Sequence, residues 1–460
     1  MGGTAFFRDV MTDMRYFNLY QQKKTSPQEA VRIVKSGDWV DYSLALNMPR
    51  ALDEALAARA EELENVKIRA ILGTHEPAVF QANDRCGRNV FIWYSFHEGS
   101  FARKAQSKGY VQYVPMQYHE LPGLYRRELD PVDVLMLQVT PMDDEGNFHF
   151  GPASSHIQAI CEKARHIIVE VNPRLPEVAS LPGDEISVER VDAIVEHESE
   201  PDVMMSPPPS KEDEQIARKL LPMIADGSCL QLGIGGVPNA VGSLIAQSDL
   251  KDLGIHSELY ADSMMEMTRS GKITGKYKSV LPQKQVFSIA VGSREMYDFM
   301  RECPDLMAAP VDFVNDPSVI CRMKKFVSIN NAIQVDLTGQ VNAESIGSKQ
   351  ISGTGGQLDF VRGAYHAKDG MSVIALHSTF RNRQGEVVSR IMPALDSGSV
   401  VTTPRSATHW VATEYGMVNL KGRSTWERAE LLIQIAHPEF RESLIEEAEK
   451  MGIWTASNRR

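Results

Sequence analysis

Nearly continuous runs of apolar residues recur along the chain, separated by segments with helical periodicity. Examples are DVLMLQV, HIIVEVN and VFSIAVGS, which are typical of parallel strands covered on both faces. Helix start signals lie between such runs, for example Ser26 followed by Pro27 and, at the third helical position, Glu29. That signal predicts a helix that ends at Gly37. The alternation of strand and helix predicts an α/β fold with mostly parallel sheets.

One stretch interrupts this alternation. The segment HESEPDVMMSPPPSKEDE contains three consecutive prolines, Pro207 to Pro209, between acidic residues, which is typical of an interdomain linker. The chain has 460 residues, more than a single hydrophobic core usually supports. We therefore predict two open α/β domains, an N-terminal domain of residues 1–210 and a C-terminal domain of residues 211–460.

Charge, cysteine content and apolar runs limit the binding partners and sites that we expect for this chain. The net charge of −11 disfavours nucleic acid, because neutralising phosphates requires a basic face. The five cysteines are widely spaced and form no CxxC pair, so we expect reduced thiols and neither a disulfide framework nor a zinc site. We find no signal peptide and no apolar run long enough to span a bilayer, which predicts a cytoplasmic location without a membrane partner.

A first glycine-rich turn, GIGGVPNAV, begins at Gly233 between a predicted strand and a predicted helix. Backbone amides at such a helix start favour an anion or a developing oxyanion. The simpler interpretation is a tight turn that requires positive φ angles. A dinucleotide-binding fingerprint would need glycine where Pro238 stands, so a nicotinamide cofactor is disfavoured.

A second glycine-rich stretch, GTGGQLDF, begins at Gly353, and an acidic strand, IHSELYADS, lies between the two stretches. Its Glu258 would be ionised at an ordinary pKa and could act as a nucleophile without a general base. Glycine-loop amides could then stabilise the oxyanion. The competing interpretation of the second glycine-rich stretch is a flexible loop or a hairpin. The competing interpretation of Glu258 is a solvated surface residue. By strand alternation His256 lies on the same side as Glu258, where it could act electrostatically.

Three basic residues follow near YGMVNLKGRSTWER: Lys421, Arg423 and Arg428. They could meet phosphates, but a solvated basic patch beside a helix explains each of them equally well. Asp262 is interpreted as a supporting or solvent-facing carboxylate. Covalent modification of another glutamate, such as Glu266 or Glu344, would show that the assignment of Glu258 as nucleophile is wrong.

The ordered set GIGGVPNAV, HSELYADS, DLTGQVNAESIG, GTGGQLDFVRGA, YGMVNLKGRS and IAHPEFR resembles the acetyl-CoA hydrolase/transferase family. Within that family the chain is most similar to the 4-hydroxybutyrate and butyryl-CoA:acetate CoA-transferases. The resemblance extends over essentially the whole chain, including the ELP of PMQYHELPGLY. It implies two CoA-transferase-type α/β domains and a homodimer or a higher homo-oligomer.

The resemblance also implies roles for individual residues. Glu258 would be the catalytic nucleophile, and the backbone amides of Ile234 and Gly355 would be oxyanion donors. Asn315, in VNDPSV, would position the thioester or the glutamate. The residues expected to contact coenzyme A are Gly233, Ile234, Gly235, Gly236, Val237, Ile333 and Gly356. The N-terminal domain would contribute a wall of the acyl pocket, with Met48, His75 and Gln117 as candidates.

The implied reaction moves CoA between a short-chain acyl-CoA, such as butyryl- or 4-hydroxybutyryl-CoA, and a carboxylate such as acetate. It proceeds by ping-pong chemistry through a glutamyl-CoA thioester. The coenzyme A thioester is the substrate, and no metal or permanently bound cofactor is expected. Two alternatives remain open: an acyl-CoA hydrolase that uses the same glutamate, and a non-catalytic CoA-binding protein.

Overall fold

A computed structural model describes residues 14–205 and 207–454. These residues form two compact units. Of the described residues, the first unit comprises 14–116, Glu120–Met204 and Ser288–Phe313. The second comprises Gln117–His119, Met205–Phe287 and the chain from Val314 onwards. The prediction of an N-terminal domain that ends at residue 210 and a C-terminal domain that begins at residue 211 stays a prediction.

The strands and α-helices up to residue 196 lie in the first unit. The strands are β1 (Trp39–Leu44), β2 (Val66–Ile71), β3 (Phe91–Ser95), β4 (Val111–Tyr113), β5 (Val132–Val139), β6 (Asn147–His149), β7 (Ala164–Val171), β8 (Glu185–Ser187) and β9 (Ala193–Glu196). The helices are α1 (residues 14–23), α2 (Pro27–Ala30), α3 (Ala51–Ala57), α4 (Ala78–Cys86), α5 (Ser100–Gln106), α6 (Leu121–Arg127) and α7 (Ile157–Lys163).

Elements from residue 211 onwards belong mainly to the second unit. The helices are α8 (Lys211–Leu220), α9 (Gly236–Gln247), α10 (Asp262–Arg269), α11 (Arg294–Glu302), α12 (Val311–Val314), α13 (Pro317–Ile320), α14 (Gln357–His366), α15 (Thr425–Gln434) and α16 (Pro438–Lys450). The strands are β10 (Cys229–Leu232), β11 (Gly254–Tyr260), β12 (Gln285–Ala290), β13 (Leu306–Ala308), β14 (Phe326–Asn331), β15 (Gln334–Asp336), β16 (Val341–Asn342), β17 (Ser345–Ile346), β18 (Lys349–Gln350), β19 (Met371–Ala375), β20 (Thr379–Arg381), β21 (Val387–Ser389), β22 (Ile391–Met392), β23 (Trp410–Thr413) and β24 (Gly416–Asn419).

The first unit is built on a parallel sheet with the strand order β4-β3-β2-β1-β5-β7-β9. In the second unit, six sheet strands follow the order β11-β10-β14-β19-β23-β24, and all neighbours except β23 and β24 are parallel. The prediction of an α/β fold with mostly parallel sheets is confirmed. Several strands are buried along their whole length, which explains their nearly continuous apolar sequence.

In the second unit the chain passes from β10 to β11 on one side and resumes on the other side with β14. Such a reversal of strand order opens a crevice at the carboxyl ends of the strands, where open α/β sheets bind their ligands. The first unit repeats this arrangement, because β2 and β5 flank β1 on opposite sides. The two units therefore share a topology that no close sequence repeat indicates.

The predicted first helix is shorter than its sequence signal indicated. The Ser26 side chain accepts a hydrogen bond from the backbone N–H of Glu29, as predicted, but α2 ends at Ala30. A 3₁₀ turn over Val31–Ile33 follows. The β-branched residues Val31, Ile33 and Val34 disfavour a longer helix, so the predicted helix end at Gly37 is wrong.

The five cysteines are free thiols. Among residues 14–205 and 207–454, no group of three or more His, Cys, Asp or Glu side chains is arranged to hold a metal ion. Within the same residues, we find no helix with the length and apolarity that a membrane crossing requires.

The close packing of α14 on α13 yields a stability prediction. A Cβ at Gly363 would lie 2.5 Å from Cβ of Ile320, far inside the usual carbon–carbon contact of about 3.5–4.0 Å. We expect Gly363→Ala to lower the free energy of unfolding by about 1–3 kcal/mol, read as a lower midpoint in urea denaturation.

Gly123→Ala in α6 is the matched control, because the new Cβ would meet only the mobile end of the Arg127 side chain. Alanine is the better helix former, so this variant should be neutral or slightly stabilised. Equal losses in the two variants would contradict the packing argument.

Candidate active site

Glu258 lies near the carboxyl end of β11, at the strand edge where the topology opens a crevice. The residue is partly buried and keeps some exposure to solvent. Nδ2 of Asn315 donates a hydrogen bond to Oε2 of Glu258 over 2.7 Å. The backbone N–H of Gly356 is a second donor to the same carboxylate. Two neutral donors therefore fix the carboxylate of a partly buried residue.

Gly356 is the N-cap of helix α14, so Glu258 lies at the positive end of the helix dipole. A Cβ at Gly356 would overlap both Oε2 of Glu258 and Nδ2 of Asn315. Gly355, the preceding residue, has a φ of +55°, and a Cβ there would lie 3.8 Å from Oε1 of Glu258. The second glycine loop therefore packs its backbone directly against the carboxylate, as only glycine allows at Gly356.

The pKa of Glu258 is raised to about 7. Burial is the largest cause, and the negative charge of Asp359 raises the pKa further. The hydrogen bonds from Asn315 and Gly356 act in the opposite direction, because they favour the ionised form. The expectation of an ordinary glutamate pKa is therefore wrong: near neutrality Glu258 exists in both protonation states.

His256 affects this site through a hydrogen bond. Its Nε2 lies 2.7 Å from the carbonyl oxygen of Val314, so Nε2 carries the proton and donates. Burial lowers the pKa of His256 to about 3, and the ring is uncharged at neutral pH. Because Val314 directly precedes Asn315, this hydrogen bond ties β11 to the segment that carries the Asn315 amide.

Asn331, at the end of β14, connects the two glycine loops. Its Nδ2 donates to the carbonyl oxygen of Ile234 over 2.8 Å. Its own carbonyl oxygen accepts a 2.8 Å hydrogen bond from Nε2 of Gln357, the first residue of α14. One residue thereby fixes the first loop relative to the start of α14. No local sequence signal indicated this role.

The first glycine loop follows β10, and the structure gives its residues different environments. The N–H of Gly233 donates to the Ile329 carbonyl oxygen, whereas residue Ile234 is 46% exposed. Gly235 has a φ of +125°, and Gly236 and Val237 begin helix α9. Ile333 follows β14, is partly buried, and donates its N–H to the Asn342 carbonyl oxygen.

Glu344 is almost fully buried and has a structural environment. Its carboxylate accepts hydrogen bonds from Thr402 Oγ1 at 2.9 Å, from Gln350 Nε2 at 3.1 Å and from Thr354 Oγ1 at 3.2 Å. Thr354 directly precedes Gly355, so its hydrogen bond to Glu344 anchors the second glycine loop. Glu266, by contrast, is exposed on α10. Of these three glutamates, Glu258 is the one that combines exposure with donors at a helix start.

The structure also places His119 and Asp359 at this site, although neither was a candidate. Nδ1 of His119 lies 2.7 Å from Oδ1 of Asp359, the third residue of α14. The two residues are 240 positions apart in the sequence, and the only local hint was the ELP that follows His119.

Residues 9–205 match the acetyl-CoA hydrolase/transferase N-terminal domain, and residues 292–448 match the acetyl-CoA hydrolase/transferase C-terminal domain. The chain belongs to the acetyl-CoA hydrolase/transferase family. The resemblance predicted from the ordered motifs is thereby confirmed.

Relatives within this family match the chain over nearly its whole length. The butyryl-CoA:acetate CoA-transferase of Anaerostipes caccae is 46% identical over 448 residues, which are 97% of this chain and 100% of that protein. A probable butyrate:acetyl-CoA coenzyme A-transferase of Syntrophomonas wolfei is 47% identical over 441 residues, 96% and 98% of the two chains. The crystal structure of RipA from Yersinia pestis has a TM-score of 0.88 and 37% identity, and the match covers 95% of this chain and 100% of that chain.

The basic residues considered as phosphate ligands make hydrogen bonds within the second unit. Arg428 is mostly buried and donates to the carbonyl oxygens of Thr338 and Arg405. Nζ of Lys421 donates to the Ser406 carbonyl oxygen, and Arg423 pairs with Glu427. These contacts favour the structural interpretation for all three side chains.

The three candidates for an acyl-pocket wall lie in dissimilar environments. Met48 is buried, and its carbonyl oxygen accepts a hydrogen bond from Nε2 of Gln138. Nδ1 of His75 lies 2.9 Å from Oδ2 of Asp202 within the first unit. Gln117 groups with the second unit. Their role as a pocket wall stays a prediction.

The close approach of the Gly356 backbone to Glu258 can be tested by structure determination. In Gly356→Ala the new methyl group overlaps the carboxylate and the Asn315 amide, so we expect the carboxylate to move by roughly 1 Å and the hydrogen bond to Asn315 to break. A crystal structure of the variant measures both changes.

Gly233→Ala is the control on the other loop, because its Cβ would meet neighbouring atoms at 3.5 Å or more. Glu258 should keep its position in that variant. An undisturbed carboxylate in Gly356→Ala would contradict the assigned contact.

Proposed function

We propose that the protein is a CoA-transferase that moves CoA between a short-chain acyl-CoA and a carboxylate such as acetate. The observation that carries the proposal is the Glu258 carboxylate, which belongs to a partly buried residue and is held by two donors at the start of α14. The relatives from Anaerostipes caccae and Syntrophomonas wolfei support butyryl-CoA and acetate as the substrate pair.

In the first half-reaction the ionised carboxylate of Glu258 attacks the thioester carbonyl. The carbon–sulfur bond breaks, CoA leaves as a thiolate, and an acyl-glutamyl anhydride remains. The thiolate then attacks the glutamyl carbonyl, the free acid leaves as its carboxylate, and Glu258 becomes a glutamyl-CoA thioester. A second carboxylate reverses both steps and leaves with CoA. Each step transfers an acyl group between nucleophiles, and no electrons are exchanged.

Each of the two attacks on a carbonyl group passes through a tetrahedral intermediate. The negative oxygen of that intermediate needs hydrogen-bond donors aimed at it. We assign this role to the backbone amides of Ile234 and Gly355, on the two loops that Asn331 connects. Asn315 would keep the carboxylate oriented for attack. Gly233, Gly235, Gly236, Val237, Ile333 and Gly356 would contact coenzyme A.

The nucleotide end of coenzyme A takes no part in the chemistry, so its binding energy can position the reacting thioester. Coenzyme A enters only as a substrate, and we propose no resident cofactor. We also expect a homodimer or a higher homo-oligomer, because the family resemblance implies one. We expect a cytoplasmic location, as the sequence predicts.

Hydrolysis by the same glutamate is the second candidate, because the family includes acetyl-CoA hydrolases. Water could attack the acyl-glutamyl anhydride or the glutamyl-CoA thioester in place of the next substrate. The two activities separate in one assay. A transferase releases CoA from butyryl-CoA at a rate that depends on acetate, with acetyl-CoA as the product. Release at a comparable rate without acetate would favour the hydrolase.

Glu258→Gln tests the nucleophile. The amide keeps the shape of the side chain but cannot form the anhydride, so we expect acetate-dependent formation of acetyl-CoA to fall by at least about 10³-fold. Glu266→Gln is the control, because Glu266 is exposed on α10 and should retain full activity. Circular dichroism checks that both variants are folded. Substantial transfer by a folded Glu258→Gln variant would contradict the mechanism.

The raised pKa of Glu258 predicts a pH profile. The ionised form is reactive, and the pKa is about 7. The kcat/KM for the acyl-CoA should therefore fall by about tenfold per pH unit below that value and level off above it. A rate that stays constant from roughly pH 5 to pH 8 would show that Glu258 ionises at its ordinary pKa.

A further inference from the structure

The segment Gln117–His119 contacts the start of α14 at three points. Tyr118 donates its backbone N–H to the Gly355 carbonyl oxygen over 3.2 Å. His119 binds Asp359 twice, through its ring Nδ1 at 2.7 Å from Oδ1 and through its backbone N–H at 3.3 Å from Oδ2. An ionised carboxylate only accepts hydrogen bonds, so the ring of His119 donates from Nδ1. The segment thus holds both the glycine loop and the third residue of the helix.

Asp359 and Glu258 share one hydrogen-bond donor. The side chain of Asn315 donates to Oε2 of Glu258 and also to Asp359. Asp359 is only 1% exposed, so solvent screens its charge poorly. Burial raises the pKa of Asp359, whereas His119 and Asn315 lower it by stabilising the ionised form. Two carboxylates therefore lie on either side of one neutral amide.

We propose that Asp359, held in place by His119, is a positioning residue that raises the pH at which Glu258 becomes an ionised nucleophile. The inference rests on the proposed function, because it concerns the reactivity of the same carboxylate. A charge on Asp359 makes proton loss from Glu258 harder. It also makes the resulting carboxylate more basic, and a more basic carboxylate is the better nucleophile.

The groups that face Glu258 come from several elements. Helix α14 contributes Asp359, and the segment before α6 contributes His119 through Asp359. The stretch before α13 contributes the neutral amide of Asn315. On β11 itself His256 is uncharged, because burial lowers its pKa to about 3. The negative charge that acts on Glu258 is therefore that of Asp359, partly balanced by His119.

The test is the pH profile of Asp359→Asn. Asparagine keeps one of the two oxygen acceptors that His119 contacts and removes the charge, so the acid limb of kcat/KM for butyryl-CoA should move to lower pH by on the order of one unit. Transfer should persist above the limb.

Asp369→Asn is the matched control. It removes the same charge from an exposed position roughly 15 Å further along the helix and the turn that follows it. Its φ of +56° is one that asparagine tolerates well. The acid limb of this variant should coincide with that of the unmodified protein.

A uniform loss of activity in Asp359→Asn, with the limb unmoved, would show a purely structural role and overturn the proposal. So would a folded variant that is inactive at every pH. Asp359→Ser, a smaller uncharged replacement, provides the same measurement if the asparagine variant does not fold. Glu258→Gln reports separately on the proposed function, since transfer without Glu258 would refute the mechanism whatever the effect of Asp359.

Discussion

The carboxylate of Glu258 lies against the first amide of helix α14, and much of the second unit keeps it there. Strand β11 brings the side chain from one direction, and Gly356 lets the helix approach from the other. Asn315 completes the contact, and its own segment is tied back to β11 by His256. A side chain larger than hydrogen at position 356 would separate these parts. The site therefore depends on one close approach between a backbone and a carboxylate.

At this contact, two sets of effects on the ionised form of Glu258 oppose each other. Burial near an apolar sheet penalises the charged form of Glu258, and the charge of Asp359 adds to the penalty. The helix start and Asn315 provide donors that stabilise the charge again. The result is a carboxylate with a pKa near neutrality, which is more basic than a solvated glutamate yet still ionised in an appreciable fraction. For a weak nucleophile that has to attack a thioester, such a balance is favourable.

The sequence predicted the parts of this arrangement that leave a local pattern. Apolar runs indicated the parallel strands, and the ordered motifs indicated the family. It could not predict the contacts made by Asn331 or by His119, because a pairing over 240 positions leaves no periodic signal. The pKa of Glu258 was missed for a related reason, since it depends on burial and on Asp359, which only the folded chain brings together. The overlong first helix shows that a correct capping signal fixes a start without fixing a length.

In the proposed mechanism Glu258 becomes covalently attached to CoA. Incubation with butyryl-CoA followed by borohydride should convert a glutamyl thioester to the corresponding alcohol, and peptide mass spectrometry locates the altered residue. We expect this modification in the peptide that contains Glu258, and we expect it to depend on butyryl-CoA and to be lost when acetate is added before the reductant. Modification of Glu266 or Glu344 instead, or the absence of any reducible adduct in an enzyme that transfers CoA, would contradict it.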